Sequence, residues 1–152
     1  MTRNNTALGL EVQDEQGDLY LNGKFVEDGV TRWYLHGHLH RSDGPAVECA
    51  NGDEYWYQYG QLHRLNGPAV VTDASLEWFR DGLRHRIDGP AIEWLSGTKE
   101  WFYNGQIHRV WGPAIENANG SQEWYLEGRR LTEAYHHEYI TQVREIRNTG
   151  SC

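Results

Sequence analysis

The side chains best suited to chemistry in this sequence recur at fixed intervals. There are eight histidines, His36, His38, His40, His63, His85, His108, His136 and His137. Four of them precede an arginine, as His40-Arg41, His63-Arg64, His85-Arg86 and His108-Arg109, at intervals of 23, 22 and 23 residues. Imidazoles in series raise the question of a metal, and guanidinium groups in series that of an anion groove, because guanidinium holds phosphate bidentately. Spacing argues against the metal. If each period adds two strands, successive imidazoles sit roughly 10 Å apart, whereas each donor atom must lie about 2 Å from the ion. The run His36-Gly37-His38-Leu39-His40 is split by a turn at His36-Gly37, and His136 and His137 are adjacent on a helix and point apart. No metal and no cofactor is expected, and the repeated imidazoles are read as packed on tryptophan and bonded to backbone. Arg41, Arg64, Arg86 and Arg109 are read first as structural, Arg41 paired with Asp43 and Arg86 with Asp88. Binding of an anionic, nucleotide-like ligand by the same four arginines is the alternative.

These residues belong to a longer motif. All four prolines stand in one tripeptide, Gly44-Pro45-Ala46, Gly67-Pro68-Ala69, Gly89-Pro90-Ala91 and Gly112-Pro113-Ala114. Before each His-Arg comes an aromatic pair and a glycine: Trp33-Tyr34 with Gly37, Trp56-Tyr57 with Gly60, Trp78-Phe79 with Gly82, and Trp101-Phe102 with Gly105. A final half-unit has Trp124-Tyr125 with Gly128. A fixed period of this size means stacked structural units. A residue that recurs in every unit serves every unit, while an active site is singular. No Gly-Lys-Ser/Thr loop, no Gly-x-Ser-x-Gly and no Cys-His pair outside the repeats is present, so catalysis is not expected.

Each unit carries two turn signals. One ends at the glycine after the aromatic pair, as in Asp81-Gly82 and Asn104-Gly105; the other is Asn51-Gly52, Ser96-Gly97 or Asn119-Gly120. Such dipeptides accept the positive φ of two-residue hairpin turns. With turns at Tyr59-Gly60 and Asn51-Gly52, Tyr57 faces Leu62, Trp56 faces His63, and Val47 faces Trp56. Strand alternation then gives one face Val47, Trp56 and His63 and the other Ala46, Tyr57 and Leu62. Ile92, Trp101 and His108 repeat the first face, and Ile115 meets Trp124. In the third unit, one residue short, a three-residue loop at Asp73-Ala74-Ser75 restores Val70 opposite Trp78. The Trp and Val/Ile face is expected to be the core. The ladder Tyr34, Tyr57, Phe79, Phe102 and Tyr125 is expected to be half exposed and to bind a protein, since aromatic anchors dominate such interfaces. Gly-Pro removes a ladder donor and should bend the sheet once per repeat.

The fold class is therefore all-β: tandem antiparallel hairpins of about 23 residues, stacked into a coiled sheet or solenoid, with a C-terminal capping helix. Residues 1–31 form an irregular β segment, with Leu8, Leu10 and Val12 alternating and a degenerate hairpin at Asn22-Gly23. Residues 32–131 hold the repeats. Residues 132–148 form the helix, N-capped by Thr132, with Tyr135, Tyr139, Val143 and Ile146 on one stripe.

Composition sets further bounds. The chain has 152 residues with 38% hydrophobic content and a mean hydropathy of −0.79, so seven Trp, nine Tyr and three Phe must supply much of the core. The net charge of −8 disfavours a nucleic-acid partner. Apolar runs are too short to span a membrane. Residues 1–10 lack a charged region leading into an apolar stretch, so a cytoplasmic protein is expected. The only cysteines, Cys49 and Cys152, have neither metal nor redox spacing.

The pattern Trp-Tyr-x-x-Gly-x-x-His-Arg-x-x-Gly-Pro-Ala resembles the variant MORN-type repeat of bacterial and phage proteins, over residues 19–131. Departures are Trp111 where Asp43 and Asp88 stand, Asn66 in the second unit, and Arg84 where Leu39, Leu62 and Ile107 stand. The resemblance implies hairpin stacks that bind proteins or lipids, that self-associate, and that catalyse nothing. It points to a phage or mobile-element protein, acting in the host cytoplasm as a homodimer, that binds and inhibits a host defence protein. Two other readings stay open: sequestration of an anionic nucleotide-like molecule, and carbohydrate binding, against which the missing signal peptide counts.

Overall fold

The structure is a computed structural model and describes residues 9–149, with side chains to Ile146. Leu8 and Cys152 lie outside the described residues. The fold is all-β apart from one C-terminal helix among the described residues, and it divides into two compact units, the first ending at Leu83 and the second beginning at Arg84.

In the first unit the strands are β1 (Leu10–Gln13), β2 (Leu19–Glu27), β3 (Val30–Leu35), β4 (His38–Leu39), β5 (Val47–Glu48), β6 (Glu54–Tyr55), β7 (Tyr57–Gln58), β8 (Gln61–Leu62), β9 (Val70–Val71), β10 (Ser75–Glu77) and β11 (Phe79–Arg80), followed at the boundary by β12 (Leu83–Arg84). The sheet runs β1-β2-β3-β5-β6-β9-β10, all antiparallel, with β4 paired to β3 and β7 to β8 in short hairpins. The second unit holds β13 (Ile92–Trp94), β14 (Lys99–Glu100), β15 (Phe102–Tyr103), β16 (Gln106–Ile107), β17 (Ile115–Glu116), β18 (Gln122–Leu126), β19 (Arg129–Leu131) and α1 (Glu133–Thr149). Its sheet order is β13-β14-β17-β18-β19, with β15 and β16 as a separate hairpin.

The turn after each aromatic pair has the register expected from the sequence. Tyr57 faces Leu62 and Gln58 faces Gln61, and the His63 N–H donates to the Trp56 carbonyl at 2.9 Å. Both central residues have positive φ, 48° at Tyr59 and 79° at Gly60, as a two-residue primed turn requires. The same pair of angles recurs at His36-Gly37, Asp81-Gly82, Asn104-Gly105 and Glu127-Gly128. It also occurs at Asp28-Gly29, which closes the β2–β3 hairpin. Asn22-Gly23 is not a hairpin turn: both residues lie inside β2.

The second turn departs from expectation by one residue. Asn51 does not have positive φ; only Gly52 does, at 93°. The Cys49 N–H donates to the Asp53 carbonyl, enclosing a three-residue loop whose last residue is the left-handed glycine. Val47 therefore faces Tyr55, not Trp56. Likewise Ile92 faces Glu100 and Ile115 faces Glu123, so Ile115 does not meet Trp124. In the short third unit the loop is Asp73-Ala74 alone, closed by Thr72 Oγ1 accepting the N–H groups of Ala74 and Ser75, and Val70 faces Glu77 instead of Trp78. The deletion does fall in the turn and keeps this unit in step with the others.

The shift explains the position of tryptophan. Trp56 sits between β6 and β7, where the chain leaves one ladder for another. Its N–H reaches the Ala69 carbonyl at 2.7 Å while its own carbonyl accepts from His63. Faces consequently do not sort into Trp and Tyr sides. The buried apolar residues are Ala46, Val47, Ala69, Val70 and Phe79 in the first unit and Ala91, Ile92, Ala114 and Ile140 in the second, while the repeat tryptophans are half-buried. Phe79, expected on the half-exposed side, is only 9% exposed and packs with Ala69 and Val70. The four motif alanines are fully buried.

Helix α1 is capped as expected, Thr132 Oγ1 accepting the Tyr135 N–H at 3.2 Å. Its packed face differs. His136 and Ile140 are buried, while Tyr135, Tyr139 and Ile146 are exposed. His136 Nε2 lies 3.2 Å from the Arg109 carbonyl, which anchors the helix on this side.

Candidate functional site

The repeated histidines secure the turns. A non-glycine residue at φ near +50° is strained by roughly 1–2 kcal/mol, most clearly for a bulky residue such as Tyr59. His40 Nδ1 accepts the Tyr59 N–H at 3.2 Å. His63 does the same for Asp81, His85 for Asn104 and His108 for Glu127. The glycine N–H of each turn is also taken: Gly60 donates to Leu39, Gly82 to Leu62, Gly105 to Arg84 and Gly128 to Ile107. At His63 the same nitrogen lies 2.8 Å from Asp81 Oδ1 as well. The imidazoles are thus bonded to backbone, each holding the left-handed residue of the following turn. Among the described residues no group of three or more His, Cys, Asp or Glu is placed to hold a metal ion.

The arginines form clips around Gly-Pro. The Arg41 guanidinium stacks 4.0 Å from the Trp33 ring centre, Arg64 3.7 Å from Trp56 and Arg109 3.8 Å from Trp101. Nη1 of Arg41, Arg64, Arg86 and Arg109 donates to the carbonyl of Pro45, Pro68, Pro90 and Pro113 respectively. Arg41 also bonds Asp43 and Glu48, Arg86 bonds Asp88 and Glu93, and Arg109 bonds Glu116. Asp43 and Asp88 are held below the usual carboxylate range, chiefly by the hydrogen bond from the arginine. The motif glycine leaves open the space that the guanidinium occupies. A Cβ on Gly44 would stand 2.6 Å from Arg41 Cζ, and one on Gly89 2.8 Å from Arg86 Cζ. Arg41 and Arg86 each donate to three acceptors, Arg109 to two and Arg64 to one, so each guanidinium spends part of its donor set within its own repeat.

The aromatic ladder is also largely folded away. Tyr34 is half-buried and meets Phe25 edge-on, Phe102 lies under Arg84, and the Tyr125 hydroxyl donates to Glu123. Burial pushes the Tyr125 phenol up. Tyr57 is half-buried and Phe79 is core. The large apolar side chains left in solvent are others. In the Arg-x-x-Gly loops they are Leu65 in the first unit and, in the second, Ile87 at 80% and Trp111 at 49% exposure. At hairpin tips they are Tyr59 in the first unit and Leu95 and Tyr103 in the second. These positions vary between repeats, so a search for recurrence passes over them.

One concave feature is not repeated. In the second unit, the last hairpin and α1 enclose an open cleft of about 490 Å³ lined by His108, Leu126, Glu127, Arg129, Arg130, Leu131, Thr132, Tyr135 and Tyr139. Arg130 pairs with Glu123 at 3.3 Å and remains 69% exposed. No helix of the described residues is long and apolar enough to cross a membrane. Compared with protein-family models, with curated proteins and with solved structures, the chain finds no match.

Proposed function

We propose that this chain is a non-catalytic repeat module that works by binding a protein. The observation carrying this reading is the division of labour among its side chains. The recurrent histidines and arginines bond within turns and clips, whereas large apolar residues stand exposed, among them Leu95 at 82%, Ile87 at 80% and Trp111 at 49%, the last with the Arg144 guanidinium 5.2 Å from its ring centre. Exposed aromatic and aliphatic anchors are what protein interfaces use. They are better placed for contact than the ladder Tyr34, Tyr57, Phe79, Phe102 and Tyr125. The likeness of the repeat to MORN-type units of phage proteins supports a bacterial host protein as partner, blocked by occlusion, and supports self-association as a homodimer. The test is affinity capture from bacterial lysate with the wild-type chain and with Ile87→Ser/Trp111→Ser. A stoichiometric protein partner held by the first and lost by the second supports the proposal. Capture that is equal for both variants refutes the surface, and no specific capture refutes the reading.

A further inference from the structure

We propose that the cleft between the last hairpin and α1 is a binding site for a ligand that joins a planar ring to a phosphate group. The inference concerns a different surface from the protein-binding one and does not depend on it.

Helix α1 supplies the first observation. Tyr135 and Tyr139 stand four residues apart and share one face. They look, in sequence, like part of the packing stripe, yet His136 and Ile140 take that role, leaving the two tyrosines 58% and 39% exposed. Folding does not account for two aromatic rings on one exposed face, and both line the cleft. With Leu126 and Leu131 they give it an aromatic and aliphatic lining suited to a flat ring.

Charge supplies the second observation. The chain carries −8 overall, but Arg129 and Arg130 both line this cleft against a single acid, Glu127. Arg130 is engaged by Glu123 through Nη2 at 3.3 Å. Arg129 makes no ion pair among the described residues. In contrast to the clip arginines, neither is stacked on a tryptophan or bonded to a proline carbonyl, so their donors can turn to an anion. The volume, about 490 Å³, suits a small organic molecule. A ring held by the tyrosines and a phosphate held by the arginines fits this combination. The phosphate-bearing ring can come from a free nucleotide or from a phosphotyrosine side chain.

Isothermal titration calorimetry of the full chain tests this with AMP and phosphotyrosine as probes, and adenosine and inorganic phosphate as their halves. At least one probe should bind saturably, one per chain, and at least tenfold more tightly than either half. Arg129→Gln/Arg130→Gln and Tyr135→Ala should each weaken that binding at least tenfold without moving the urea midpoint, because these side chains are exposed. Arg64→Lys, in the clip of another unit, should leave it unchanged. Binding of AMP alone names a free nucleotide, and binding of phosphotyrosine alone names a phosphorylated protein. Absence of saturable binding by both probes overturns the proposal, as does binding retained in Arg129→Gln/Arg130→Gln or phosphate binding as tightly as the probes.

Discussion

Replacing Gly44 by alanine isolates the arginine clip. Gly44 is buried and does not occupy the left-handed region, so its backbone tolerates alanine. The obstacle is Arg41. A methyl group there would sit 2.6 Å from Cζ, 2.8 Å from Nε and 2.9 Å from Nη2. A guanidinium at the end of a flexible chain could ordinarily move away cheaply. This one is fixed by the Trp33 ring at 4.0 Å and the Pro45 carbonyl at 3.2 Å, and its side chain is 23% exposed. Displacing it forfeits the cation–π contact, about 1 kcal/mol, and a hydrogen bond from a charged donor, about 1.5 kcal/mol. The ion pairs to Asp43 and Glu48 are solvent-screened and add little. Gly44→Ala should therefore cost about 2–3 kcal/mol, a fall of about 1 M in urea midpoint read by tryptophan fluorescence. In the Arg41→Ala background the same change should be neutral or stabilising by about 0.4–1 kcal/mol, through the lower entropy of the unfolded chain. That reversal is the signature of direct coupling. An equal loss in both backgrounds, or no loss in either, would refute the clip.

Three further outcomes follow from burial and charge. Phe79→Ala should cost about 3–5 kcal/mol in urea unfolding, whereas Tyr103→Ala, half in solvent, should cost under about 1 kcal/mol; the reverse order would contradict the core described. Ile140→Ala should destabilise by about 2–5 kcal/mol and Tyr139→Ala by much less, and similar losses would mean that α1 packs on its tyrosine face. Asp43 and Asp88 have carboxyls held low by Arg41 and Arg86. Their contribution to stability is present above the unfolded-state value, about 3.9, and is lost as pH falls through the lower folded-state value. Urea midpoints of Asp43→Asn/Asp88→Asn should thus vary less with pH below about 4 than those of the wild type, and identical profiles would count against the clips.

The sequence shows the repeat because Pro, Trp, His-Arg and Gly recur together, and it shows the primed turns because their register follows from two residues. Asn51-Gly52 misleads for a physical reason. The same dipeptide suits a two-residue turn or the end of a three-residue loop, and the one-residue difference exchanges the faces. Asn22-Gly23 and Asp28-Gly29 compete in the same way, and only pairing with β3 decides between them. The helix stripe is ambiguous because a period of 3.6 carries Val143 with either Tyr135 and Tyr139 or His136 and Ile140, and tyrosine is more apolar than histidine in the first turn. The Arg clip was visible only in its Asp43 and Asp88 contacts. The stack on tryptophan and the bond to the proline carbonyl depend on a close approach at glycine that spacing does not reveal. The cleft is illegible in sequence because its lining comes from a hairpin and a helix whose rotation is set by packing.

The commitment of the repeated histidines to the fold can be read directly from their tautomers. A backbone N–H cannot be reoriented within a fixed turn, so Nδ1 of His40, His85 and His108 must be the acceptor and the neutral ring must carry its proton on Nε2. Long-range ¹H–¹⁵N correlation of the imidazoles, assigned by single His→Gln variants, distinguishes the two forms. Unprotonated, hydrogen-bonded Nδ1 and protonated Nε2 are expected at all three residues, unchanged by added zinc or phosphate. An Nδ1–H tautomer at these positions, or ring nitrogens that shift on addition of either ion, would contradict a structural role for these histidines.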